Sequence, residues 1–485
     1  MKRYPLSNIL FFGSFFLIII AYILLNNLAG YTFPIPWADE GIFLWQSISF
    51  QINNTFVAPQ LNPTRPLLLM PPGYMIFNGF LFKIVGFSLD IARKVSLVLM
   101  IGVVIQLVLI TRKYGLKFIA LLFIGLFFLN SYFLAIGNIA RMEALLLFLI
   151  FLGFLLLQNK KDYEALAILA LTPLIHPNGV YFLLAAIGYL LFTKRLRINP
   201  KELNRREKIF IITSLIIWLI YIAYILLQWD WFIQDITFQI VRKSQRDILR
   251  KFFLENNFLF ILIFFFCLAY GIKEKIPATF LLVIVVPSWL INKLGQEMWY
   301  AIFDIIAYLM LSLVVLHITS NLVTSLTKNK YFQKSILLLI TILLLLWLYN
   351  NKRIGNLFLY PESISWSDMR FSEDIAYINN SDISEIQTHL DTINKSNQPF
   401  YIQFFPRGDA LLFQDLENDL IHFSQPVFYS REPDVYIIHS SKFIPEWMEI
   451  RLQEEFENAG IDPSDPANIL FQRDETEIWY YRSTN

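Results

Sequence analysis

Long apolar runs, separated by short polar segments, dominate the first 350 residues of the chain. A helix needs about 20 apolar residues to cross a hydrocarbon layer of roughly 30 Å. The pattern therefore predicts about eleven membrane-spanning helices. Their predicted positions are residues 8–28, 92–111, 116–134, 142–158, 164–176, 178–193, 208–228, 257–272, 276–291, 299–317 and 335–350.

Residues 67–86 are apolar enough to suggest a further span, but they contain Pro71, Pro72, Gly73 and Lys83. Lysine and arginine in the loops decide the topology, because short loops rich in these residues stay in the cytoplasm. With a cytoplasmic N-terminus and no span at 67–86, the basic loop 229–255 is outside, but five other such loops fall inside. These loops lie at 112–117, 160–161, 194–208, 273–275 and 328–334.

That topology makes residues 29–91 one long first outer loop, in which 72–86 is predicted to be an interfacial helix on the outer surface. A re-entrant hairpin is the alternative, and the charge count does not separate the two. The topology also places the chain from about residue 351 onward outside the membrane. The two predicted units are a membrane module at 1–350 and an extracytoplasmic domain at 351–485.

The composition of the second unit differs sharply from that of the first, because Asp, Glu, Ser, Asn and Pro return and apolar runs shorten to strand length. Strands are predicted at 399–405, 435–439, 468–472 and 477–481, and helices at 382–394 and 445–457. The fold class expected for the whole chain is therefore a polytopic α-helical membrane protein with a small soluble α/β domain at its C-terminus.

Charge and cysteine content narrow the function classes. Charged residues make up 16% of the chain, against about 25% in soluble domains. The net charge of +2 gives no bulk electrostatic reason to bind nucleic acid, and a single cysteine, Cys267, excludes an intrachain disulfide. The first apolar run follows Lys2 and Arg3, is too long for a signal peptide and has no small-residue cleavage motif, which indicates an uncleaved span.

Acidic residues at the outer ends of two predicted spans are the first candidates for chemistry. Asp39 and Glu40 lie about ten residues beyond the first span. They are either functional acids or a cap of the following helix. Arg141 and Glu143 begin the span at 142–158. Residues two apart on a helix do not face each other, so each is expected to need a separate partner.

Two further candidates could hold a substrate or its phosphate. His176 lies in a His-Pro-Asn-Gly break, where a tight turn is the first interpretation and ligand binding the second. Arg242, Arg246 and Arg250 share one face of a predicted helix in the outer loop 229–255. Arginines suit bidentate binding of phosphate, and contact with anionic lipid headgroups is an equal alternative.

Three stretches resemble the GT-C membrane glycosyltransferases of the protein O-mannosyltransferase and aminoarabinose transferase type, which are related to glycosyltransferase family 39. The first is Ala-Asp-Glu-Gly at 38–41. The second is 56–63 followed by Pro-Pro-Gly-Tyr at 71–74 and the segments 82–88 and 92–93. The third is 140–146, Ala-Arg-Met-Glu-Ala-Leu-Leu. Their order matches the first loop of that family and the start of a later span.

The resemblance implies a multi-pass enzyme of the plasma membrane. Such an enzyme transfers a sugar from a polyprenyl-phosphate donor to a lipid, glycan or protein acceptor at the outer face, with inversion. It implies Asp39 as the catalytic carboxylate, supported by Glu40, with Glu143 where many relatives have Asp after Arg-Pro.

One departure concerns phosphate binding, since Leu69-Met70 stand where the aminoarabinose branch has Glu-Lys. Arg65, Arg141 or the arginine row would have to take that lysine's place. Some relatives use a divalent metal and others do not, so the resemblance leaves a metal cofactor open. No zinc-type cluster or other metal ligand set is evident in the sequence.

Two rival functions remain at this stage. A transporter or flippase of a lipid-linked substrate would carry ionisable residues deep within its spans, where Asp304 is the clearest example. A membrane-anchored binding protein would act through the domain at 351–485.

Overall fold

The structure is a computed structural model. It describes residues 6–29, 38–58, 65–68, 70–112, 117–128, 131–197, 199–244, 314–350, 400–405, 434–440, 460–473 and 476–481, together with a few isolated positions.

Helices account for almost all of the described residues before position 351. They are α1 (Leu6–Ala29), α2 (Ala38–Asn53), α3 (Gly73–Val85), α4 (Leu89–Arg112), α5 (Lys117–Phe128), α6 (Ser131–Gly137), α7 (Met142–Gln158), α8 (Asp162–Ile175), α9 (Gly179–Phe192), α10 (Arg205–Leu227), α11 (Trp229–Ser244), α12 (Val314–Leu326) and α13 (Lys330–Asn350).

Most predicted spans in the described residues coincide with one helix, whereas the span predicted at 116–134 contains two. Two helices occupy this stretch, and α5 ends at Phe128 before α6 begins at Ser131. Residues 129 and 130, between these two helices, lie outside the described residues. The spans predicted at 257–272 and 276–291, and most of 299–317, lie outside the described residues.

Three of the described helices are long and apolar enough to cross a membrane, namely residues Ile9–Ala29 of α1, all of α4 and all of α10. The helices α3, α7, α9 and α12 are apolar but shorter. The described part of the chain before residue 351 is thus helical and has the apolar helices of a membrane protein. The count of about eleven spans stays a prediction.

A central bundle of α4 to α9 carries the apolar core, with large aromatic side chains fully enclosed. Phe123, Phe133, Phe151 and Phe182 are among them. The helix α10 exposes most of its apolar side chains, as expected for a helix that faces lipid.

The helices α2 and α3 pack against each other, and α3 also packs against the end of α8. A Cβ atom at Gly79 would lie 2.5 Å from the Phe50 ring, so glycine is needed for the close approach of the two helices. At the start of α3, a Cβ atom at Gly73 would lie 2.5 Å from the carbonyl oxygen of Leu174. The predicted helix at 72–86 is therefore confirmed as a helix that packs on the bundle, and its depth in the membrane stays a prediction.

A four-stranded sheet lies near the C-terminus, in the order β1-β2-β4-β3. The strands are β1 (Phe400–Phe405), β2 (Asp434–Ser440), β3 (Ile469–Arg473) and β4 (Thr476–Tyr481). The first two pair in parallel, and the remaining pairs are antiparallel. These strands match the predicted ones. The helices predicted at 382–394 and 445–457 lie almost wholly outside the described residues, so the α/β domain stays a prediction.

Candidate active site

The acid pair begins helix α2. Asp39 is the second residue of that helix and Glu40 the third, because the helix starts at Ala38. The Asp39 side chain lies outside the described part of the structure, so its role as a cap stays a prediction. An acid within the first turn is still favourable, since it faces the positive end of the helix dipole.

Glu40 is completely buried and is held by a second helix. Its carboxylate accepts two hydrogen bonds from Arg93 on α4, at 3.0 Å from Nε to Oε1 and 2.7 Å from Nη2 to Oε2. Arg93 itself is only 3% exposed. A two-point bond between ionised groups fixes orientation as well as distance, so the start of α2 is clamped to α4.

The same carboxylate also reaches the turn that precedes α7. The backbone N–H of Ala140 donates to Glu40 Oε1 at 2.8 Å. This contact joins positions 100 residues apart. It brings the acid pair of the first outer loop to the beginning of the segment Ala140-Arg141-Met142-Glu143. Because Arg93 belongs to the second stretch, residues of all three stretches that carry the family resemblance meet at Glu40.

Arg141 and Glu143 bind each other, which corrects the expectation of separate partners. Arg141 Nη2 lies 3.0 Å from Glu143 Oε1, and Arg141 Nε lies 3.2 Å from Oε2. The reason is that Arg141 precedes the helix and has extended backbone angles of φ −127° and ψ 165°. The rule for helix neighbours does not apply to a residue outside the helix.

Tyr74, which sequence reasoning missed, stands among these charged groups. Its phenol is buried and interacts electrostatically with Glu40, Glu143 and Arg141. Burial raises the pKa of Tyr74 far above its ordinary value, so the phenol remains protonated. The only signal in the sequence was its place directly after Pro-Pro-Gly, within the stretch that carries the resemblance.

The aromatic ring of Phe43 completes this cluster. It meets Tyr74 edge to face at 6.1 Å between ring centres. The guanidinium of Arg141 lies 5.9 Å from the same ring centre. Apolar walls of this kind strengthen the electrostatic interactions inside them, because they exclude water.

His176 ends helix α8 and is buried. The ring nitrogen Nδ1 of His176 accepts a hydrogen bond from the backbone N–H of Asn178 at 3.0 Å. The backbone N–H of His176 donates to the carbonyl oxygen of Thr172. These contacts confirm the tight-turn interpretation. Substrate binding by His176 stays a prediction.

Arg65 is engaged by an acid of helix α11. Its Nη1 and Nη2 lie 2.9 Å from the two carboxylate oxygens of Asp235. The guanidinium also lies 4.9 Å from the ring centre of Trp231. The backbone N–H of Leu68 donates to Asp235 at 2.7 Å. Arg65 thus attaches the first outer loop to α11.

The arginine row is described only in part. Arg242 lies in the last turn of α11, which confirms a helix at that position. Arg246 and Arg250 lie outside the described residues, so their shared face stays a prediction. As for a metal, the described residues contain no group of three His, Cys, Asp or Glu side chains that could hold one, and both buried glutamates bind arginines.

Comparison with known proteins gives little guidance. No protein-family model matches the chain, and no curated protein matches it. The crystal structure of ArnT from Cupriavidus metallidurans in the apo state is similar over 96% of this chain and 98% of that one, at 12% identity and a TM-score of 0.46. At a TM-score below 0.5, this likeness carries no argument about family or activity.

Proposed function

We propose that the chain is an integral membrane glycosyltransferase that takes its sugar from a polyprenyl-phosphate donor at the outer face of the membrane. The observation that carries the proposal is the hydrogen bond from Ala140 N–H to the Glu40 carboxylate. It joins the acid pair at 39–40 to the Arg141–Glu143 pair, and these are the segments whose order in the sequence resembles the GT-C enzymes.

The proposed chemistry is direct displacement at the anomeric carbon. The acceptor oxygen forms a bond to that carbon while the carbon–oxygen bond to the phosphate breaks, and the polyprenyl phosphate leaves with the electron pair. Asp39 takes the proton of the acceptor as general base. Attack opposite the leaving group inverts the anomeric centre.

The other acids have supporting roles in this proposal. Glu40 is buried between Arg93 and Ala140 N–H, so it positions the start of α2 rather than accepting a proton. Glu143 is balanced by Arg141 and stands beside the phenol of Tyr74. Preorganised groups of this kind stabilise developing charge without having to reorganise during the reaction.

Cations must stabilise the departing phosphate. We assign this role to the row Arg242, Arg246 and Arg250, because the guanidinium of Arg65 already binds both oxygens of Asp235. The proposal retains the topology in which the N-terminus is cytoplasmic and the unit at 351–485 lies outside.

Reconstitution in liposomes separates a transferase from a flippase. The donor is a polyprenyl-phosphate hexose with a radiolabelled sugar, and total membrane lipid supplies acceptors. A transferase releases polyprenyl phosphate in step with labelled product. Movement of intact donor between leaflets, without cleavage of its sugar–phosphate bond, would contradict the proposal and favour the flippase.

A further inference from the structure

A polar cavity of about 240 Å³ lies beside the Glu40–Arg93 pair. It is formed by the end of α1, the first turns of α4 and the residues that follow α6. Its volume is far above the roughly 10–15 Å³ that one buried water needs. It is large enough for a single sugar ring, and Arg93 lines it with the same side chain that binds Glu40.

Amide side chains and balanced charges characterise its lining. Asn26, Asn27 and Asn138 contribute amides, each of which offers both donors and an acceptor. At the rim, Lys94 forms an ion pair with Asp90. Arg93 is paired with Glu40, so both cations of the lining form ion pairs with carboxylates.

Two of the amide side chains that line the cavity are buried. Asn26 is 3% exposed and Asn138 is 8% exposed. The side-chain carbonyl oxygen of Asn26 finds no hydrogen-bond partner among the described residues. A buried acceptor without a partner lowers stability, and polar cavities of this size hold water or a ligand that satisfies such groups.

We propose that this cavity binds the ring of the transferred sugar, and that this sugar is neutral and rich in hydroxyl groups. A hydroxyl both donates and accepts, which matches amides, an arginine and an aspartate. A phosphate would find both cations already paired and would meet Asp90 at the rim. An amino sugar would find that carboxylate already paired with Lys94. This inference rests on the proposed function and specifies its substrate class.

A steric block at the mouth of the cavity provides the test. Asn27 is exposed and lines the cavity, so Asn27→Trp fills the mouth without disturbing the core. Leu28→Trp is the matched control, because Leu28 is 56% exposed on the same helix and does not line the cavity. Thermal unfolding of both variants verifies that they fold.

The probes are methyl hexopyranoside and glucosamine, followed by saturation-transfer NMR, and inorganic phosphate, followed by broadening of its 31P signal. Each is added to the full-length protein in nanodiscs. We expect a signal from the neutral glycoside in the wild type and in Leu28→Trp, and its loss in Asn27→Trp. Asp90→Asn should weaken binding about threefold to tenfold, the worth of one hydrogen bond.

A glycoside signal that survives in Asn27→Trp would overturn the inference, and so would no signal in the wild type. Phosphate or glucosamine binding that Asn27→Trp abolishes would also overturn it. Asp230→Asn, an exposed acid on α11 that does not line the cavity, should bind the glycoside normally. If the protein transfers sugar in a reaction that depends on Asp39 but does not bind the glycoside, only the proposal of a sugar site in this cavity fails. If it binds the glycoside but transfers no sugar, the proposed function fails.

Discussion

At the scale of single residues, two buried arginine–glutamate pairs organise the candidate site. Arg93 and Glu40 are 3% and 0% exposed. A buried ion pair contributes little net stability, but removing one partner leaves an uncompensated charge in a poorly solvated place. The structural importance of these pairs should therefore show most clearly when only one partner is changed.

Replacement of Arg93 by Met should lower the free energy of unfolding by about 3–5 kcal/mol, because Glu40 would remain buried without its counter-charge. The double variant Glu40→Gln/Arg93→Met should recover part of the loss. Lys94→Met is the control, since the Lys94–Asp90 pair is exposed and should contribute less than about 1 kcal/mol. Thermal unfolding in detergent measures all three. Equal losses in the single and double variants would contradict the account.

Sequence reasoning singled out Glu40, Arg141 and Glu143, which the structure brings together, but it did not predict their partners. Asp39, Glu40, Arg141 and Glu143 stood out as charges at the edges of apolar runs. The bond between Glu40 and Arg93 spans 53 residues, and only tertiary packing creates it. The Arg141–Glu143 bond was missed because Arg141 was treated as helical, whereas its backbone is extended.

At the scale of elements, the close contact between α3 and α8 positions Tyr74 in the candidate site. The first residue of α3 meets the last turn of α8, and Tyr74 follows directly. Helix boundaries here were predictable, because Pro71, Pro72 and Gly86 interrupt the apolar pattern. The helices that α3 packs against were not predictable. An apolar helix of this length can lie on the membrane surface or pack against other helices.

Replacement of Gly73 by Ala should force α3 away from α8 and destabilise the protein by about 1–3 kcal/mol, the usual cost of overpacking. The clash is with backbone, as the new Cβ would lie 2.5 Å from Leu174 O. Gly188→Ala on α9 is the control, because it has nothing within 4 Å. Thermal unfolding compares the two. A neutral Gly73→Ala would contradict the close approach.

The contact between the first outer loop and α11 depends on Asp235. Replacement by Ala removes both bonds to Arg65 and the acceptor of Leu68 N–H. We expect the Leu68 amide to exchange its hydrogen about tenfold faster or more, since a bond to a charged group contributes about 1.5–3 kcal/mol. Hydrogen-exchange mass spectrometry of the peptide covering 65–68 measures this. Unchanged exchange would show that the loop is held by other contacts.

At the scale of the whole molecule, the distribution of Lys and Arg predicts which side of the membrane each segment faces. This reasoning needs only the sequence, because positive loops remain cytoplasmic. The number of spans stays a prediction, and residues 116–134 contain two helices, α5 and α6. Apolar composition does not reveal where a helix is interrupted within the bundle.

Single cysteines introduced into a Cys267→Ala background test this topology. Asn53 at the end of α2 and Lys161 before α8 are both exposed. We expect Asn53→Cys to react with a membrane-impermeant maleimide in intact cells, because its loop is predicted to be outside. Lys161→Cys should react only after permeabilisation. Reaction of Lys161→Cys in intact cells, alongside Asn53→Cys, would contradict the charge argument and make residues 67–86 a span.

The central claim is that Asp39 is the base of a sugar transfer. The most direct measurement is the rate of sugar transfer from a polyprenyl-phosphate hexose by reconstituted Asp39→Asn, beside the control Asp230→Asn, an exposed acid on α11. Loss of a general base should lower the rate about 10²- to 10⁴-fold, with unchanged thermal unfolding and a normal rate in the control. Wild-type activity in Asp39→Asn would contradict the account.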